Sequence, residues 1–154
     1  MLIFLDIDGV MVPAKGWKPP ELLNDGFPDF SKKASMVLQQ LIWVDTIIML
    51  TTSHKSNFTI DEWKSIFKNR GVDVKNLVLL EENRNNLDRK DEIINWFKIN
   101  SLDESFVIID DDKSLNALPD SLKENLVLTS PMIGLTEEHL NKIESILNKK
   151  LQSV

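Results

Sequence analysis

Asp6 and Asp8 flank Ile7, directly before Gly9 and directly after the apolar run Leu2-Ile3-Phe4-Leu5. Two carboxylates that leave a strand at i and i+2 point to the same side. Like charges this close call for a cation or a shared proton, and a glycine lets the backbone turn tightly around whatever they hold. A second apolar run, Phe106-Val107-Ile108-Ile109, ends the same way in Asp110-Asp111-Asp112. If the two strands run parallel in one sheet, both acid clusters project from the same edge. An oxygen-only cluster of this kind suits a hard divalent cation, Mg²⁺ first. Taken alone, the triple Asp equally suits a helix N-cap ahead of Ser114 to Leu118.

Two further groups fit the same edge. Thr51-Thr52-Ser53 follows the apolar run Thr46 to Leu50, and hydroxyls with free N–H groups between a strand and a helix bind anionic oxygens. A plain cap or turn uses the same residues. Lys90 opens the helical stretch Arg89 to Ile99. A cation is unfavourable at a helix N-terminus, so an acid cluster or a phosphate should offset it. Arg84 and Arg89 follow the third strand at the same sheet edge, near Glu81 and Glu82; they read first as solvated loop residues, with contact to substrate as the alternative. His54 and Lys55 add a basic pair, with a capping or surface role for His54 equally open. His139 reads as a surface residue.

Composition narrows the chemistry. The chain has 154 residues, enough for one domain over 1–154, and no cysteine, which excludes disulfides, thiolate zinc sites and cysteine nucleophiles. With two histidines, a multi-histidine metal cage is excluded as well. Eighteen Lys and Arg against 24 Asp and Glu give a net charge of -6, which argues against bulk binding to duplex nucleic acid. Five of those 24 acids sit in the two clusters, so most of the excess belongs to one proposed site. No apolar run is long enough to span a bilayer, and Asp6 and Asp8 interrupt the first one too early for a signal peptide. A soluble, cytoplasmic protein without membrane partners is expected.

The elements that would position these residues alternate. Strands are expected at Leu2–Leu5, Thr46–Leu50, Leu77–Leu80, Phe106–Ile109 and Leu126–Leu128, mostly as continuous apolar runs covered on both faces. Helices are expected from Ser31 to Trp43, from Thr59 (with Glu62 as capping box) to a stop at Gly71, from Arg89 to Ile99, and from about Thr136 through Leu140, Ile143, Ile146 or Leu147 and Leu151. Trp43, Trp63 and Trp96 fall on apolar stripes and are expected in the core. The pattern predicts an α/β, three-layer Rossmann-like fold with a mostly parallel five-stranded sheet. Residues 9–30 carry four of the six prolines and read as a long irregular loop at the sheet's carboxyl edge, with Trp17 and Lys18 as a partial lid.

In chain order the pieces are Asp-x-Asp-Gly at 6 to 9, Thr51, Lys90 and Asp110-Asp111. This order resembles the four motifs of the haloacid dehalogenase (HAD) superfamily across about residues 2 to 130. A receiver domain combines similar residues, but its Lys comes last. The resemblance implies a HAD-like phosphatase in which Asp6 is the nucleophile and Asp8 the general acid and base. It implies that Thr51 holds a phosphoryl oxygen, with Gly9, Thr52, Ser53 and His54 around the substrate, and that Lys90 steadies Asp6. Asp6, Asp8 (through its backbone carbonyl), Asp110 and Asp111 would hold Mg²⁺. Neither residues 9–30 nor 57–75 leave room for a cap domain, so the chain is most similar to the small capless group of polynucleotide-end phosphatases and RNA-repair-associated domains. That implies a large or exposed phosphorylated substrate, such as a nucleic-acid end. A phospho-ligand-binding module without turnover is the competing reading.

Overall fold

The computed structural model describes residues 1–14, 19–83 and 85–152, with side chains through 148. Trp17, Lys18, Arg84 and the Leu151 side chain lie outside the described residues. The chain order is β1 (Leu2–Leu5), α1 (Lys32–Leu41), β2 (Ile47–Leu50), α2 (Ile60–Asn69), β3 (Asn76–Leu79), α3 (Arg89–Ile99), β4 (Phe106–Asp110), α4 (Asp120–Lys123), β5 (Leu126–Leu128) and α5 (Glu137–Gln152), with short 3₁₀ turns at Lys55–Asn57 and Lys113–Ala117. The central runs β1, β2 and β4 are buried on both faces, as a covered parallel sheet demands, while the edge strand β3 exposes Asn76 and Val78. All neighbouring strands are parallel, in the order β3-β2-β1-β4-β5.

One face of the sheet carries Ile3, Leu5, Ile48, Leu50 and Ile109, packed with Val37 and Leu38 of α1, Trp63 and Phe67 of α2, and Ile143 of α5. The opposite face carries Leu2, Phe4, Met49 and Ile108, packed with Ile93 of α3, Leu115 and Leu118. The alternation of odd and even residues along β1 therefore produces three layers. No helix among the described residues is long and apolar enough to cross a membrane.

Caps set the helix starts. Ser31 Oγ accepts from the Ala34 N–H at 3.0 Å, and Thr59 forms the expected capping box with Glu62. Three expectations shift. Trp43 is 66% exposed rather than in the core. Helix α1 ends at Leu41, Ile42 turns extended, and the Trp43 N–H donates to Thr46 Oγ1 at 2.9 Å, so Trp43 leaves the helical stripe. Strand β3 begins one residue early, at Asn76. His139 is half-buried, and its Nδ1 accepts from the Thr136 N–H at 3.0 Å at the start of α5.

The loop before α1 is fastened by Arg70, whose guanidinium is nearly inaccessible. It donates to Asp25 Oδ2 at 2.6 Å and Oδ1 at 3.0 Å. It also donates to the carbonyls of Pro28 at 2.9 Å, Phe27 at 2.8 Å and Ile66 at 2.7 Å. Phe27 and Phe30 are buried beneath it. The hydrogen bond from Arg70 holds the Asp25 carboxyl down at about 2, below the usual range.

Candidate active site

Strand register builds the site. Leu5 pairs with Leu50 on one side and Ile109 on the other, so Asp6, Thr51 and Asp110 leave adjacent strand ends together. The chain runs outward from β1 to β3, then crosses to β4 on the other side of β1. That reversal point is where ligands of open α/β sheets bind.

Ligand atoms of Asp6, Asp110 and Asp111 all lie within 4.8 Å of one another. Asp6 and Asp110 are buried. Asp6 Oδ1 accepts from the Ile7 N–H at 2.9 Å, and Asp110 Oδ1 accepts from the N–H groups of Asp111 at 2.8 Å and Asp112 at 3.0 Å. Asp112 turns away to cap the following 3₁₀ turn, accepting from the Ser114 N–H at 2.9 Å. Gly9 adopts φ +78°, and a Cβ there would overlap the Asp111 carboxyl group. Thr129, at the end of β5, donates through Oγ1 to the Gly9 carbonyl at 2.6 Å and ties this loop to the sheet.

The cation beside the acids is Arg89. Its Nη1 lies 3.8 Å from Asp6 Oδ1 and 3.4 Å from Asp110 Oδ2. Lys90, expected there, sits with its Nζ 4.0 Å from Asp91 Oδ1 and is 28% exposed, against 12% for Arg89. The two side chains differ by one helical step, about 100°. Arg89 shares the inward face with Glu92 and the buried Ile93, and Lys90 does not. Arg89 Nε is 3.6 Å from Glu92 Oε1, and Lys55 Nζ is 3.6 Å from Glu92 Oε2. The basic pair at 54 and 55 is thus split. Lys55 is buried against Glu92, while His54 faces Asp8, with Nε2 2.8 Å from Oδ2.

Thr51 is buried, and its Oγ1 has no hydrogen-bond partner among the described residues. Thr52 is also buried and accepts from the His54 N–H at 3.2 Å. Ser53 is exposed. The Asp8 carboxylate lies outside the acidic cluster and opens to solvent.

The HAD domain in Swiss Army Knife RNA repair proteins matches residues 2–140. The chain belongs to this family of HAD domains. No curated protein and no solved structure matches it. As a HAD domain it has a Rossmann-like α/β core, and its family supports phosphoryl-transfer chemistry in general terms.

Electrostatics sharpen what this HAD site accepts. Burial first, and the Asp110 charge second, push Asp6 up to about 9. Burial also pushes Asp110 up to about 6, against the pull of Arg89. The pair therefore shares a proton unless more positive charge arrives. An all-oxygen donor set with surplus negative charge, and a neighbouring glycine whose missing Cβ makes room for Asp111, fit a hard divalent cation such as Mg²⁺. Arg89, Thr129 and Glu92 are the site residues that motif reading overlooks. Nothing in the sequence marks Thr129.

Proposed function

We propose that this chain is a Mg²⁺-dependent phosphomonoesterase acting through an aspartyl-phosphate on Asp6. The observation that carries the reading is the packing of three carboxylates within 4.8 Å at the sheet's reversal point, beside an unpartnered buried hydroxyl. Asp6, Asp110 and Asp111, with the Asp8 backbone carbonyl, would hold Mg²⁺, which when bound supplies positive charge against the repulsion between carboxylates and a phosphate dianion.

Asp6 attacks the phosphorus atom in line. The Asp6–phosphorus bond forms as the ester bond breaks, and the departing oxygen keeps the electron pair and takes a proton from Asp8. Water then loses its proton to Asp8 and attacks phosphorus, releasing phosphate and restoring the Asp6 carboxylate. Thr51 Oγ1 donates to a phosphoryl oxygen, and the Arg89 guanidinium, with Lys90 more distant, offsets charge on the equatorial oxygens. Phosphorylated RNA ends are the proposed substrate class, supported by the family's description and the absence of a cap insertion.

The test is phosphate release from end-phosphorylated oligoribonucleotides, nucleotides, a phosphopeptide and an aryl phosphate, with Mg²⁺ or with chelator. Turnover should need both Mg²⁺ and Asp6. Equal rates for wild type and Asp6→Asn would reject the mechanism.

A further inference from the structure

His54 is held more firmly than its exposure requires. Its pair with Asp8 leaves side-chain exposures of 41% and 57%, and pairs of that kind add little to stability. Yet the imidazole is fixed from behind. Its ring packs edge-on to Phe27, with centroids 6.0 Å apart and planes at 83°. Phe27 is buried, meets the Trp63 ring at 5.2 Å, and has its carbonyl clamped by the satisfied Arg70 guanidinium. The His54 backbone is tied to the buried Thr52 hydroxyl. Among the described residues, His54 is the only side chain bonded to the Asp8 carboxylate.

We propose that His54 is a positioning residue that fixes Asp8 for substrates with poor leaving groups, the alkyl phosphates such as a phosphorylated ribose hydroxyl. With its hydrogen on Nε2, the imidazole engages Asp8 Oδ2 and leaves Oδ1 as the oxygen that exchanges a proton with substrate. This rests on the phosphatase reading above. When the Asp6–phosphorus bond forms and the ester bond breaks, an alkyl ester oxygen takes the electron pair and needs the Asp8 proton at once. A nitrophenolate departs as a stable anion without it. In this first transfer a misplaced Asp8 therefore affects the first class far more than the second, whereas the later attack of water on the phosphorylated Asp6 is common to both.

The experiment compares wild type, His54→Leu and His54→Gln, full-length with Mg²⁺, on glycerol 2-phosphate and on nitrophenyl phosphate. Both substrates are assayed on one preparation, so the folded fraction cancels from the ratio. For His54→Leu, the fall in kcat/KM, which reports phosphoryl transfer to Asp6 and not the later attack of water, should be greater on the alkyl ester than on the aryl ester by about tenfold or more. Gln reaches as far as Nε2, keeps a donor and does not titrate, so it should restore most of that difference. Equal losses of kcat/KM on both substrates, or a Gln variant no better than Leu, would overturn the positioning role. Absence of any Asp6-dependent turnover of nitrophenyl phosphate by wild type is a separate result, which removes the phosphatase reading and this proposal with it.

Discussion

Exchanging Arg89 for Gln removes the positive charge 3.8 Å from Asp6 and 3.4 Å from Asp110 and keeps a polar side chain. At an effective dielectric of about 20, those two attractions are worth about 4 and about 5 kcal/mol. Burying the guanidinium offsets several kcal/mol of that sum. A net contribution of about 3 kcal/mol to the charged, phosphate-bound site corresponds to a kcat loss of about 10²-fold. Lys90 starts from a different position. Its nearest carboxylate is Asp91 at 4.0 Å on the helix surface, and such a pair is worth about 0.5 kcal/mol. The loss in Arg89→Gln should therefore exceed that in Lys90→Gln by about 30-fold or more. Arg89→Lys should recover part of the activity, because it keeps the charge but not the planar fork that reaches two carboxylates. The assay is kcat on an aryl phosphate at saturating Mg²⁺, with thermal melts confirming that each variant is folded. A Lys90→Gln loss equal to or greater than that of Arg89→Gln would refute the assignment.

Three other outcomes follow from the same geometry. Asp6 and Asp110 have folded-state values of about 9 and about 6 against an ordinary 3.8, so the fold retains protons that the unfolded chain has lost. Stability must then fall as pH rises. Melts in chelator should drop in temperature between about pH 5 and about pH 8, and excess Mg²⁺ should flatten the trend; a rise in chelator would contradict the shared proton. Thr51→Val removes a buried hydroxyl that has no partner, so melting should hold steady or improve by about 1 kcal/mol while kcat falls at least about tenfold; a destabilised variant would mean the hydroxyl is already satisfied. Gly9→Ala strains a φ of +78° and displaces the Asp111 carboxyl, costing about 1–2 kcal/mol in backbone terms and raising the Mg²⁺ concentration for half-maximal activity; an unchanged Mg²⁺ requirement would separate Asp111 from the metal.

Much of this arrangement is legible from sequence because parallel strands announce themselves as unbroken apolar runs. Leu2–Leu5 and Phe106–Ile109 both end in aspartate, so the sheet edge and the pairing of the acid clusters can be inferred before any coordinates. Helix faces are less readable. Ile93, Ile94, Trp96 and Phe97 surround much of α3 with apolar side chains, and only Ile93 is fully buried. Periodicity there cannot choose between Arg89 and Lys90. The dipole argument points to this helical turn, and within it the side chain that faces the acids is Arg89. Trp43 misled for a related reason: the stripe runs past Leu41, and the Thr46 hydroxyl that takes the next N–H lies outside the helical pattern. Arg70 and Thr129 act through backbone carbonyls far away in sequence, a kind of contact that leaves no spacing signature.

Two inward-facing arginines carry their charge in different surroundings. Arg70 is surrounded by the Asp25 carboxylate and three backbone carbonyls, all at 2.6 to 3.0 Å. Its donors are satisfied, and it has no reason to meet a ligand. Arg89 is less enclosed, 12% exposed against 1%; its Nη1 donates to Asp110 Oδ2 at a long 3.4 Å, its Nε has no hydrogen-bond partner among the described residues, and the other nearby carboxylates stand at 3.6 to 3.8 Å. It also sits in the first turn of α3, where the helix dipole opposes a cation. Beside it lie two acids pushed toward protonation, an orphan threonine hydroxyl and a glycine in a left-handed conformation. The acids and the hydroxyl are local conflicts that a well-folded interior normally resolves, whereas the glycine adopts its φ without strain and makes room for Asp111. A divalent cation would relieve the acids, and a phosphoryl group would take up the free Arg89 and Thr51 donors. One such ligand pair would satisfy both the acids and the free donors at once, and this is the physical reason for testing Arg89, and not Arg70, as the cation of the proposed site.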